Sequence, residues 1–230
     1  MQKNRSLLPL GLGVVLLALF AGLTSIALRD RWFVPAMDRH IAGFCDWVLP
    51  ANLNAVSKVL AGFGSVVPIA LLTVVFVAVL VSRGRWRSAA VAVVGLGLVV
   101  LVEAAIRLRF DDLPANPGDV AALIFGWGGW SETYPSGHTA RVGLVAVLYP
   151  ALGWRRVRPW WLVGAVVLGM VFGVQRVESG SHTGDEAIGG LFLGWGVAAL
   201  GVACLPWVVR GERSAAEPAE QPAARVETVA

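Results

Sequence analysis

Residues 187–209 read AIGGLFLGWGVAALGVACLPWVV, without one charged side chain. A helix needs about 20 apolar residues to cross the hydrocarbon core of a bilayer. This run supplies them, and it predicts a membrane span. The whole chain agrees with that reading. Of its 230 residues 57% are hydrophobic and only 15% are charged, against about 25% in an average soluble domain. Mean hydropathy is +0.70. A chain of this length and composition predicts a single bundle of helices in lipid.

Five further apolar runs lie upstream, at about 7–28, 65–81, 88–106, 137–152 and 160–174. The first is longer than the apolar core of a signal peptide, about 7–15 residues, so it predicts a retained helix. The expected architecture is all-α and polytopic, with six transmembrane helices forming one domain over residues 1–210. Residues 211–230, rich in Ala, Glu and Pro, predict a disordered cytoplasmic tail. Between the first and second spans, Val34, Met37, Ile41, Phe44 and Val48 recur at helical spacing. They predict a short amphipathic helix lying along the membrane interface. His40 in this segment reads as a surface residue.

Short basic clusters orient the spans. Lys3 and Arg5, then Arg83, Arg85 and Arg87, then Arg155, Arg156 and Arg158, then Arg210 and Arg213 fall on one side. Positively charged loops stay inside. Both termini are then cytoplasmic in the inner cell membrane, and loops 29–58, 107–135 and 177–185 face outside. Nearly all of the 10 tryptophans fall at predicted span ends, where indole rings prefer the headgroup level. Trp195 is the exception and is expected to pack inside the bundle. The net charge of +4 is explained by these clusters and by lipid headgroups, and no nucleic-acid motif is present. Cys45 and Cys204 are placed near opposite faces, which argues against a disulfide.

Polar residues then stand out on the outer side. YPSGHTA, residues 134–140, opens the fourth span, and VQRVESGSHTGDEAIGG, residues 174–190, links the fifth to the sixth. Ionisable groups near the membrane interior are costly and usually functional. Ser136 stands at an N-cap position, where the N–H groups of Gly137 and His138 would attract an anion. Glu186 lies at i+4 from His182 and Asp185 at i+3; either carboxylate could take the Nδ1 proton and leave Nε2 as a nucleophile or base. Arg176 offers a forked donor suited to phosphate. Two histidines, an arginine, a carboxylate and a helix start suit a phosphate ester: one imidazole attacks phosphorus and the other protonates the departing oxygen.

These motifs resemble those of the type 2 phosphatidic acid phosphatases, over roughly residues 38–207. That family's signature is Lys-x6-Arg-Pro, then Pro-Ser-Gly-His, then Ser-Arg-x5-His-x3-Asp. Pro135, Ser136, Gly137 and His138 match the second part in full, and Arg176 and His182 match the third in spacing. The resemblance implies that His182 is the nucleophile, forming a phosphohistidine, and that His138 is the general acid. Ser136, Gly137 and Arg176 would hold the phosphate, with no metal and no cofactor. Gln175 stands where the family has serine, and Glu186 where it has aspartate. The first part is degenerate: with Pro114 as its proline, Leu113 and Ile106 replace the arginine and lysine, and Arg107 and Arg109 are the nearby cations that could stand in.

The expected activity is hydrolysis of a lipid phosphomonoester or diphosphate at the outer face. Undecaprenyl diphosphate, phosphatidylglycerol phosphate and phosphatidic acid are the candidate classes. The residues choose neither the lipid nor an oligomeric state. The expected partners are the lipid substrate and membrane lipids. Three other readings are a lipid headgroup phosphotransferase, a degenerate lipid-phosphate binder, and a metal site built from His138, His182 and Asp185; the last lacks a familiar ligand spacing.

Overall fold

The structure is a computed structural model that describes residues 7–29, 33–48, 59, 62–110, 134–155 and 158–216. Among these residues every regular element is a helix. In chain order the helices are α1 (Leu7–Arg29), α2 (Phe33–Val48), α3 (Val66–Ser82), α4 (Trp86–Phe110), α5 (Gly137–Trp154), α6 (Pro159–Glu178) and α7 (Gly184–Ala216).

Among the described residues four helices are long and apolar enough to cross a membrane, over Leu7–Ala27, Trp86–Leu108, Pro159–Glu178 and Gly184–Glu212. The chain is thus built as a multi-pass membrane protein. The second and fourth expected spans are helices of a different character. α3 is apolar but only 17 residues long. α5 carries His138 and Arg141, and protein covers most of its length: Thr139–Leu144, Leu148, Tyr149, Ala151 and Leu152 are all buried. A helix surrounded by other helices can carry polar groups that lipid would exclude. The outer helices show the converse. Val67, Leu71, Val74 and Val75 on α3 and Val163, Val167 and Met170 on α6 are exposed, as side chains facing acyl chains should be.

The core is the α5–α7 pair, with α1 against the other side of α7. Lipid tails give no hydrophobic drive for helices to associate, so close packing must supply it. At Gly194 the α5 backbone approaches so near that a Cβ would run into the Ala140 carbonyl, and Gly190 is closed off likewise by Thr139 and Ser136. Trp195 packs inside the bundle as expected, in the space left by Gly143 on α5 and Gly169 on α6.

The far end of the bundle is pinned by Glu212. Its buried carboxylate accepts hydrogen bonds from the Ser88 N–H at 2.9 Å and hydroxyl at 2.8 Å, and from Arg155 at 2.8 Å. Arg85, 3.8 Å from that carboxylate, donates to the Gly153 and Leu152 carbonyls that end α5. These bonds hold α7 beyond position 211, where the tail is expected to begin; the helix runs to Ala216, and residues 217–230 lie outside the described residues. Cys45 and Cys204 are not joined by a disulfide.

The amphipathic helix expected between the first two apolar runs is present as α2. It packs on α6 and α7, with Ile41 filling the space beside Gly184. His40 is exposed.

Candidate active site

The start of α5 and the start of α7 are joined by backbone. The Ser136 N–H donates to the Glu186 carbonyl at 2.9 Å, and Thr139 Oγ1 donates to the Ser136 carbonyl at 3.0 Å and the Ala187 carbonyl at 3.1 Å. The two polar clusters of the sequence, a helical hairpin apart, therefore meet. The His138 and His182 ring centroids lie 6.3 Å apart, with the planes tilted by 58°.

The Arg-x5-His spacing has a local cause. α6 ends at Glu178, with Ser179 as its C-cap. Gly180 follows with φ 66°, a left-handed conformation that glycine adopts at little cost. The chain then reverses, and the N–H groups of Ser181 and His182 both donate to the Arg176 carbonyl, at 3.2 and 3.1 Å. The turn thereby brings the backbone of the histidine against that of the arginine. Both side chains are buried.

His182 is oriented from behind. Its Nδ1 is 2.7 Å from Glu186 Oε2, and the same oxygen accepts the Thr183 N–H at 3.1 Å. Glu186 thus closes the N-terminus of α7 in the manner of a capping box and binds the imidazole at once. Of the two carboxylates within reach by spacing, Glu186 is the one on the ring. Asp185 accepts from Thr183 Oγ1 at 2.5 Å, and its N–H donates to Asp38 Oδ1 on α2 at 3.0 Å. His182 Nε2 is buried with no protein partner, as are Arg176 Nε and Ser136 Oγ. Ser136 stands at the N-cap of α5, but its hydroxyl makes no capping bond.

Arg107 is buried and 2.7 Å from Glu103, one turn earlier on α4. Glu103 in turn bonds Arg141 of α5 at 2.7 Å, and its carboxylate lies where a Cβ on Gly137 would be. Arg141 Nε also donates to the Gly64 carbonyl at 3.3 Å, and Gly64 packs on the His138 ring. The charges of Arg176, Arg141 and Arg107 all act on His138. The Arg109 side chain, Leu113 and Pro114 lie outside the described residues.

Three residues of this cluster are given no role from the sequence: Glu103, Arg141 and Asp38. The signal for two of them was there. Glu103 is a lone acid within an apolar span, four residues before an arginine, and Arg141 is a lone cation inside the next. Asp38 carried no such mark.

Among the described residues no group of three or more His, Cys, Asp or Glu is arranged to hold a metal ion. His138, His182 and Asp185 do not form one.

The family model described as the PAP2 superfamily matches residues 11–210. The chain belongs to the PAP2 superfamily. A crystal structure of a transmembrane PAP2-type phosphatidylglycerolphosphate phosphatase from Bacillus subtilis shares the PAP2 fold, with a TM-score of 0.59 over 89% of this chain and 97% of that one, at 19% identity. No curated protein matches the sequence. Within this PAP2 chain, Pro-Ser-Gly-His opens α5 and Arg-x5-His closes α6 against α7.

Proposed function

We propose that this PAP2 protein is an integral membrane phosphatase that hydrolyses the phosphomonoester or diphosphate of a lipid. The observation that carries the reading is the pair of imidazoles 6.3 Å apart, His182 with Glu186 on its Nδ1 and a buried Nε2 without a protein partner. A phosphorus about 3–3.5 Å from an attacking nitrogen, with its leaving oxygen within about 3 Å of the second ring, spans such a gap.

In the first step the Nε2 lone pair of His182 attacks phosphorus. The bond from phosphorus to the lipid oxygen breaks, and His138 gives that oxygen its proton. Glu186 keeps the Nδ1 proton in place and balances the charge on the ring. In the second step His138 takes a proton from water, the hydroxide attacks the phosphohistidine, and the N–P bond breaks to release inorganic phosphate. Arg176 and Arg107, with the Ser136 hydroxyl and the Gly137 N–H, hold the phosphoryl oxygens. Arg109 is the remaining candidate cation. The reaction so written uses no metal and no cofactor.

The membrane reading completes the proposal. α1, α3, α4, α5, α6 and α7 form six spans in the inner membrane, with both termini cytoplasmic and the histidines near the outer face. The tryptophan and arginine pairs Trp86–Arg87 and Arg158–Trp161, 5.2 and 5.8 Å apart at the other end of the bundle, support that orientation. The substrate classes are undecaprenyl diphosphate, phosphatidylglycerol phosphate and phosphatidic acid. The test is phosphate release from each by the detergent-purified protein, beside its His182→Ala and His138→Ala variants. Release that depends on both histidines supports hydrolysis; release at the wild-type rate by His182→Ala contradicts it.

A further inference from the structure

The site holds a carboxylate that this mechanism does not use. Glu103 is 4% exposed and sits between Arg107 and Arg141, one oxygen 2.7 Å from each guanidinium. A buried acid bridging two buried arginines satisfies its charge, and that alone would be structural. Its position adds something more. The carboxylate lies against Gly137, the residue between Ser136 and His138, at the end of α5 where backbone N–H groups attract anions. Glycine at 137 is what admits it, because a Cβ there would run into the carboxylate. The Arg141 guanidinium is tied through the Gly64 carbonyl to the backbone that packs on the His138 ring. Around the two histidines, among the described residues, the guanidiniums of Arg176, Arg141 and Arg107 thus stand against the carboxylates of Glu103 and Glu186.

We infer that Glu103 is a built-in competitor of the phosphate group, a positioning residue that shares Arg107 with the substrate's phosphoryl oxygens. This rests on the phosphatase reading. When phosphate enters between His138 and His182, Arg107 turns from Glu103 to a phosphoryl oxygen, and Arg141 keeps the carboxylate neutralised. The arrangement sets phosphate affinity from both sides. Arg107 attracts the anion, and Glu103, next to the same helix end, opposes it. Glu103 opposes the phosphate anion of substrate and product alike, and so keeps inorganic phosphate from being held tightly once it has formed. In a chain whose first motif lacks its lysine and arginine, Glu103 also explains how Arg107 is held ready beside the site.

Glu103→Gln removes one charge and keeps the shape; its amide oxygen still accepts from one arginine, while its NH2 cannot accept from the other. Binding of inorganic phosphate to the detergent-purified full chain is measured by calorimetry and by thermal shift. The expected result is a Kd for phosphate at least about tenfold lower in Glu103→Gln than in wild type, as expected from removing a like charge a few ångströms from an anion. With a lipid phosphate as substrate, KM and kcat should fall together, because release slows. A purely structural Glu103 would not tighten phosphate binding, and an equal or higher Kd in the folded variant overturns the inference. If Glu103→Gln does not fold, Arg107→Gln decides: its Kd should rise about tenfold, and an unchanged Kd overturns the inference. The titration needs no turnover. A wild type that binds phosphate but releases none from lipid contradicts hydrolysis alone, whereas turnover with unaltered phosphate affinity in Glu103→Gln contradicts the competition alone.

Discussion

The Ser136 N–H donates to the Glu186 carbonyl at 2.9 Å, and this bond fastens the residue before Gly137–His138 to the residue that orients His182. The proposed catalytic geometry depends on two helix starts held in register, with α5 and α7 packed closely together. The consequences can be measured at several points.

Glu186→Gln keeps the size of the side chain and removes the charge behind His182. The imidazole then loses its tautomer control and the partner that stabilises its charged form. kcat should fall about 10²-fold, within the range of acid–base contributions. Asp185→Asn should cost less, because Asp185 bonds Thr183 and α2, not the ring. Steady-state kinetics on the two variants check the ranking.

Arg176→Lys retains the charge but loses the planar fork. kcat/KM should fall about 10²–10³-fold, comparable to removal of one oxyanion donor. The melting temperature should change little, since the lysine stem fills much of the same buried space. Parallel kinetic and thermal-shift measurements separate the two effects.

Gly194→Ala places a methyl against the Ala140 carbonyl. Overpacking of this kind costs about 1–3 kcal/mol. It should lower the melting temperature in detergent and reduce activity by spreading the two helix starts. Gly164→Ala on α6, with open space beside it, is the control and should leave stability unchanged or slightly raised, since alanine is the better helix former.

Asp38 gives the docking of α2 a pH dependence. Burial, with the Asp185 carboxylate beside it, pushes the Asp38 carboxyl up from 3.8 to about 6. A carboxyl with a raised pKa in the folded state binds its proton more tightly there than in the unfolded chain. Its stabilising contribution is therefore present at and below pH 3.8 and is lost as pH rises to about 6. Wild-type melting temperature should decline across that window relative to Asp38→Asn, which keeps an oxygen acceptor for the Asp185 N–H. Equal pH profiles for the two proteins would contradict this.

Much of this was legible in the sequence because it is local. Apolar runs, the helical spacing from Val34 to Val48, and the i+4 relation of His182 to Glu186 each need only a few neighbouring residues to be read. Serine at 136 marks a helix start, although its hydroxyl does not cap the helix. Glu103, Arg141 and Asp38 were not legible in the same way. The meaning of each depends on a partner on another helix: Glu103 needs Arg141 and Gly137 of α5, and Asp38 needs the first N–H groups of α7. A bilayer span read by hydropathy also hides its own centre. α5 carries charge because other helices cover it, and composition alone cannot report what surrounds a helix.

The central claim is that phosphorus passes through His182. Rapid acid-free quenching of the enzyme during turnover of a radiolabelled lipid phosphate, followed by peptide mapping, tests it most directly. The account predicts an acid-labile phosphate on the peptide containing His182, absent in His182→Ala, which turns over no faster than background. Label on no histidine, with His182→Ala releasing phosphate at the wild-type rate, would contradict it.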